Sequence, residues 1–77
     1  MYKVLVCDDE KDIVSAISIY LNSDGYEVIP ARNGMEALDI VKHNDVQLVL
    51  MDIMMPVMDG IEAMVEIRKI SNVPVIL

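Results

Sequence analysis

The sequence predicts an α/β fold in which helices cover both faces of a doubly wound parallel β-sheet. Four short apolar segments alternate along the chain with three segments of helical periodicity, in the order βαβαβαβ. Each connection is long enough to return the chain for a parallel strand, and right-handed crossovers then place helices on both faces. The first and third apolar segments lack polar alternation, which is typical of strands covered on both sides.

The first strand is predicted at Lys3–Cys7, a β-branched run that ends at Asp8. Helical spacing begins at Ile13, and Asp9 or Asp12 is a candidate cap for this helix. Gly25 suits the left-handed position that follows a helix. The apolar face predicted for this first helix comprises Ile13, Ala16, Ile17, Tyr20 and Leu21.

The second strand is predicted at Tyr26–Ile29, and we expect Pro30 to end it because proline interrupts a hydrogen-bonded ladder. Asn33 then caps the second helix, with Glu36 placed to reach back as in a capping box. The apolar face predicted for this second helix comprises Ala37, Leu38 and Val41.

The third strand is predicted at Val46–Met51, directly before Asp52. Asp59 caps the third helix, and Glu62 stands three residues later. One side of that helix is predicted to carry Ile61, Met64, Val65 and Arg68. A fourth strand is predicted at Val73–Leu77.

Length and composition restrict the classes of protein to which the chain can belong. Seventy-seven residues suffice for one small domain, and a hydrophobic content of 55% with a mean hydropathy of +0.43 indicates elements buried on both sides. The apolar runs are far shorter than the roughly 20 residues that span a bilayer, so no membrane partner is predicted. The net charge of −7 argues against direct nucleic-acid contact by this segment. The single cysteine, Cys7, excludes an internal disulfide and indicates the cytoplasm.

Three carboxylates follow strands that we expect to be neighbours. Asp8 and Asp9 come after the first strand, and Asp52 comes after the third. Sites in open parallel sheets form outside the carboxyl ends of the strands, so the three acids should meet there. Helix capping accounts for one acid before a helix but not for the convergence of three.

Such a group of oxygen ligands is typical of a Mg²⁺ site, and the chain has no cluster of cysteine and histidine for zinc. A cation beside an exposed carboxylate suits phosphoryl transfer, in which that carboxylate acts as the nucleophile. Asp52 is the candidate nucleophile because it ends the central strand. Asp8 and Asp9 are the candidate metal ligands because they come as a pair from one loop.

Three motifs together resemble the receiver domain of two-component response regulators: CDDE at Cys7–Glu10, LVLMD at Leu48–Asp52 and MMPVMDG at Met54–Gly60. The resemblance implies a flavodoxin-like sheet with strand order 2-1-3-4-5. It implies that Asp52 is phosphorylated by a sensor histidine kinase. It also implies that Asp9 binds Mg²⁺ directly, that Asp8 acts mainly through water, and that the backbone carbonyl of Met54 is a further ligand.

The resemblance is strongest to receivers that control a winged-helix transcription regulator, so DNA would be contacted only through a separate effector domain. It implies that residues 1–77 form the N-terminal two-thirds of a receiver, which continues with a switch Ser or Thr, a lysine and a last strand. The fourth strand is then an exposed, apolar edge, and we expect self-association through it.

Two alternatives remain open from the residues. One is a Mg²⁺-dependent phosphohydrolase with an aspartate nucleophile, although Met54 stands where such enzymes often carry a second acid. The other is a receiver-like interaction domain that is not phosphorylated. A phosphoacceptor module, and not an enzyme with turnover, is the preferred interpretation.

Overall fold

A computed structural model describes residues 1–77 and contains four strands and three helices. The elements are β1 (Lys3–Cys7), α1 (Lys11–Ser23), β2 (Glu27–Ala31), α2 (Gly34–His43), β3 (Leu48–Met51), α3 (Gly60–Arg68) and β4 (Val75–Ile76). The strands form one parallel sheet in the order β2-β1-β3-β4, which confirms the predicted fold and strand order. No helix has the length and apolar content needed to cross a bilayer.

The main core lies between the sheet and the helix pair α2 and α3. Alternate residues of a strand point to opposite faces, and Leu5 and Cys7 of β1 share this face with Val49 and Met51 of β3. The helices contribute buried residues to the same cluster, namely Ala37 from α2 and Ala63 and Ile67 from α3.

The opposite face of the sheet packs against α1 and is covered less deeply. Val4 and Val6 of β1 are buried there, whereas Leu48 and Leu50, their partners in β3, are half-buried. No residue of α1 is fully buried. Helices therefore lie on both faces, as predicted, but α1 is less buried against the sheet than α2 and α3 are.

The predicted apolar face of α1 is rotated from the observed one. Val14, Ile17 and Leu21 are half-buried, whereas Ile13 is exposed and Tyr20 is 73% exposed. Apolar residues occur on several sides of this helix, so spacing alone does not select which side meets the sheet.

The predicted contact face of α3 also differs from the observed one. Its buried residues are Gly60, Ala63 and Ile67, while Ile61 is exposed and Val65 is 50% exposed. Small side chains let the helix approach the sheet closely, yet they add little to a hydrophobic pattern. Among the predicted residues only Met64 is half-buried; Arg68 is exposed and its guanidinium donates to the carbonyls of Ser71 and Val73.

The prediction that Pro30 ends the second strand is wrong, because Pro30 lies inside β2 and pairs with Val6. The Glu27 amide donates to the Tyr2 carbonyl, and the Ala31 carbonyl accepts from the Asp8 amide. Only alternate residues of β2, such as Glu27 and Ala31, turn their backbone groups towards β1. Pro30 lies between two such residues, so its nitrogen faces the open edge of the sheet, where no hydrogen-bond donor is needed.

Two other strands are shorter than predicted. β3 begins at Leu48 and not at Val46; just before it, the Gln47 amide donates to the Lys3 carbonyl at 3.0 Å, and the Gln47 side-chain Oε1 accepts from the Lys3 amide at 2.7 Å. β4 contains only Val75 and Ile76.

Both predicted caps of the later helices are present. Asn33 Oδ1 accepts from the Glu36 amide at 2.9 Å, and Asp59 Oδ1 accepts from the Glu62 amide at 2.8 Å. The Glu36 carboxylate reaches back to the Arg32 amide and guanidinium, and not to Asn33. The hydrogen bonds from the backbone and then the side chain of Arg32 lower the pKa of Glu36.

The first helix, α1, has no side-chain cap at its start and is followed by a left-handed glycine. Neither Asp9 nor Asp12 caps it: the cap position is Glu10, which makes no side-chain cap hydrogen bond. Gly25 has φ +87°, so the prediction of a left-handed residue after α1 is confirmed.

Candidate functional site

Three carboxylates meet at the carboxyl edge of the sheet. β1 and β3 are adjacent and parallel, with Cys7 opposite Met51, so the next residue of each strand emerges side by side. The Asp52 amide donates to the Cys7 carbonyl at 2.9 Å, which holds the two chain segments together beyond the last paired residues. Single carboxylate oxygens of Asp8, Asp9 and Asp52 all lie within 4.8 Å of one another.

These carboxylates have no positively charged side chain as a partner. The ion pairs of the chain lie elsewhere, at Arg32–Glu36, His43–Asp39 and Lys69–Glu66. The only hydrogen bonds to the cluster come from backbone amides: Asp8 Oδ1 accepts from Glu10 at 2.9 Å, and Asp52 Oδ1 accepts from Met54 at 3.3 Å. Three uncompensated acids at this spacing repel one another, and a cation would remove that repulsion.

The donor set fits a hard divalent cation. Asp8 and Asp52 are half-buried and Asp9 is exposed, so the cluster presents oxygen atoms to solvent while its backbone is anchored in the sheet. Mg²⁺ prefers a few carboxylate oxygens and retains several waters, which an open site of this kind allows. Cys7 is not part of this donor set, because its thiol is buried and donates to the Asn33 carbonyl at 3.3 Å; burial and then the nearby acids raise its pKa to about 12.

Gly60 brings the start of α3 directly against the backbone of Asp52. A Cβ at this position would lie 2.2 Å from the Asp52 carbonyl oxygen, so no other residue fits without displacing the chain. The Gly60 amide also donates to the Ile53 carbonyl at 2.8 Å. The end of the loop after β3, at Gly60, therefore packs against its beginning, at Asp52.

The tight turn inside that loop contains a residue with a positive φ that the sequence does not predict. Val57 has φ +70°, and the Met58 amide donates to the Pro56 carbonyl at 2.8 Å. A β-branched residue in this region costs roughly 1–2 kcal/mol, and nothing in the residue types signals it. The MPVMDG segment predicts a turn through its proline and glycine, but it does not indicate which residue takes the left-handed conformation.

The methionines near the site occupy different depths. Met51 is 3% exposed in the core, Met55 is half-buried with its Sδ 3.4 Å from Cys7 Sγ, and Met54 is 82% exposed. Met54 also lines a shallow cavity of about 490 Å³ together with Asp9 and Asp59. Asp59 reaches this cavity while it caps α3, so it borders the site without joining the carboxylate cluster.

Comparisons with known proteins relate the sequence of this chain to a family and to curated relatives. The family described as "Response regulator receiver domain" matches residues 4–77. Two curated relatives are a CpxR homolog of Haemophilus influenzae, called a transcriptional regulatory protein (44% identical over 100% of this chain), and YrkP of Bacillus subtilis, called an uncharacterized transcriptional regulatory protein (44% over 97%). The chain spans about a third of the length of these relatives, 34% and 32% respectively.

Solved structures show the same fold. The response regulator TrrA of Thermotoga maritima, in complex with Mg²⁺ and BeF, is 40% identical with a TM-score of 0.94, and the match covers 100% of this chain and 68% of that one. A structure of the histidine kinase ThkA in complex with TrrA gives a TM-score of 0.91 at 38% identity, covering 97% of this chain and 66% of the matched chain.

Proposed function

This chain belongs to the response regulator receiver domain family, and from that premise we propose that Asp52 accepts a phosphoryl group from a sensor histidine kinase. The observation that carries the proposal is the convergence of Asp8, Asp9 and Asp52 within 4.8 Å at the end of β3. The solved complex of a histidine kinase with a response regulator that resembles this chain supports the choice of partner.

We assign the cation site to the carboxylates of Asp8, Asp9 and Asp52 and to the backbone carbonyl of Met54. Bound Mg²⁺ supplies charge neutralisation for the phosphoryl oxygens. The chain itself holds the acceptor in place: the Met54 amide bonds Asp52 Oδ1, and Gly60 packs α3 against the Asp52 backbone.

The proposed step transfers one phosphoryl group between two side chains. A carboxylate oxygen of Asp52 attacks phosphorus, the P–N bond of the kinase phosphohistidine breaks, and the electron pair of that bond returns to the imidazole. The product is an acyl phosphate on Asp52. The Asp52 side chain is half-buried, so one side of the carboxylate stays open to a donor.

We propose that phosphorylation controls transcription through a separate effector domain. The support comes from the relatives, two of which are named as transcriptional regulatory proteins. Because the chain spans only about a third of those relatives, their full activity extends beyond the residues described.

The test is to incubate the chain with acetyl phosphate and Mg²⁺ and to measure its mass. We expect the mass increment of one phosphoryl group in the original chain and none in Asp52→Asn. Asp59→Asn is the matched control, since it retains the Oδ1 that caps α3.

Equal modification of Asp52→Asn would contradict the assignment of the acceptor. Steady release of phosphate over many turnovers would instead identify a phosphohydrolase. No modification in the presence of Mg²⁺ would favour an interaction domain that is not phosphorylated.

A further inference from the structure

We propose that Met54 is a peroxide-sensitive modification site whose oxidation to the sulfoxide shortens the lifetime of the acyl phosphate on Asp52. This inference rests on the proposed function of Asp52 as the acceptor. It concerns a residue whose side chain that function does not use, since only the Met54 backbone contributes to the proposed cation site.

The first support is the accessibility of the thioether. Met54 is 82% exposed, whereas Met51 is 3% exposed and Met55, Met58 and Met64 are half-buried. Oxidation of methionine follows exposure of its sulfur. Met1 and Met35 are also exposed, but neither lines a cavity that contains a carboxylate of the cluster.

The second support is the position of the residue. The Met54 amide lies 3.3 Å from Asp52 Oδ1, so the side chain starts next to the acceptor carboxylate. The same residue lines the cavity that contains Asp9. A carboxylate oxygen of Asp9 lies within 4.8 Å of one of Asp52, so this cavity lies beside the acceptor.

The chemistry changes the hydrogen-bonding capacity of that side chain without changing its charge. The sulfur lone pair attacks one oxygen of hydrogen peroxide, the O–O bond breaks, and the products are the sulfoxide and one water. Sulfur is oxidised by two electrons and the peroxide is reduced by two. A thioether sulfur is a weak hydrogen-bond acceptor. The sulfoxide oxygen is strongly polar and can accept a hydrogen bond from an attacking water.

The surroundings leave few other neutral acceptors for this role. The cavity wall beside Met54 consists of Ile53, Met55 and Pro56, together with two carboxylates. Of those, Asp9 is assigned to the cation, and Asp59 Oδ1 already accepts from the Glu62 amide. A sulfoxide at Met54 would therefore add a neutral oxygen acceptor to a rim whose other side-chain oxygen acceptors are carboxylates.

The experiment compares acyl phosphate lifetimes before and after oxidation. The chain is treated with hydrogen peroxide, the peroxide is removed with catalase, and peptide mass spectrometry identifies the oxidised methionines. Acetyl phosphate and Mg²⁺ then load Asp52, the donor is removed, and loss of the phosphoryl group is followed over time. Variants Met54→Leu and Met35→Leu are treated in parallel.

We expect oxidation to shorten the lifetime roughly 3- to 10-fold, the effect of about one hydrogen bond made in the transition state. The shortening should occur in the original chain and in Met35→Leu but not in Met54→Leu. Met54→Gln, which introduces a neutral acceptor without peroxide, should shorten the lifetime as well. Mg²⁺ affinity should stay the same after oxidation, because the sulfoxide is uncharged.

Two results would overturn this inference and leave the proposed function intact. One is an unchanged acyl phosphate lifetime in a chain whose Met54 is shown to be oxidised. The other is that peroxide shortens the lifetime in Met54→Leu as much as in the original chain. A chain that accepts no phosphate before oxidation would contradict both this inference and the proposed function. The loading measurement before peroxide thus separates the two failures.

Discussion

Replacing Asp52 with asparagine should stabilise the folded chain when no divalent cation is present. The change removes one charge from a cluster whose carboxylate oxygens lie within 4.8 Å, and it relieves the repulsion of Asp52 with both Asp8 and Asp9. Asparagine keeps an Oδ1 that can still accept from the Met54 amide, so the local hydrogen bond survives.

The magnitude follows from Coulomb's law at the observed spacing. Two unit charges 4.8 Å apart repel by about 0.9 kcal/mol in water and by about 3.5 kcal/mol at an effective dielectric of 20. Because these side chains are exposed or half-buried, the lower value applies to each pair. Removing two pairs should therefore raise the free energy of unfolding by about 2 kcal/mol at low ionic strength.

The assay is urea denaturation in EDTA and in saturating Mg²⁺. In EDTA the midpoint for Asp52→Asn should rise by about 1–2 M, and Asp45→Asn, an exposed aspartate outside the cluster, should change stability by less than about 0.5 kcal/mol. Mg²⁺ should stabilise the original chain more than the variant, so the difference between their urea midpoints should be smaller than in EDTA. A variant that is no more stable in EDTA, or a difference unaffected by Mg²⁺, would refute the reasoning.

The other predictions concern packing, capping, titration and assembly. Gly60→Ala should cost roughly 1–3 kcal/mol or more in urea titrations, because its Cβ would lie 2.2 Å from the Asp52 carbonyl oxygen; an unchanged midpoint would disprove that contact. Asp59→Ala should cost about 1 kcal/mol through loss of the acceptor for the Glu62 amide, whereas Asp59→Asn should cost less; equal losses would argue against the cap. The pKa of Cys7 is raised from 9.0 to about 12, chiefly by burial, so the unfolded thiol ionises first and stability should fall as pH rises from 9 towards 12. That decline should be shallower in Cys7→Ala, and identical pH profiles would contradict the shift. Sedimentation velocity at micromolar concentration should show self-association through the open edge of β4, and a single monomeric boundary would contradict this.

Features set by strand order and by local hydrogen bonding were predictable from the sequence. The parallel order brings the ends of β1 and β3 together, and therefore Asp8 and Asp52, once each strand is recognised. The caps Asn33 and Asp59 depend only on a side chain and an amide three residues later, so a short motif contains all the information needed.

Features that depend on how elements pack were not predictable in the same way. The contact face of α3 includes Gly60 and Ala63, whose small size matters only once the neighbouring sheet is present. Pro30 is compatible with β2 because that strand lies at the edge; the expected strand order already implied this position, and only the residue type suggested a break. The positive φ of Val57 follows from closing the loop between β3 and α3, since valine itself disfavours that conformation.

The two edges of the sheet also differ in their capacity to support polymerisation. The β4 edge presents unpaired backbone groups, whereas the β2 edge includes Pro30, which has no amide hydrogen to offer a further strand. If two copies join β4 to β4 about a two-fold axis, both outermost strands of the combined sheet are β2. Growth would then stop at a closed pair, because Pro30 leaves the outer edge of β2 with one amide donor fewer.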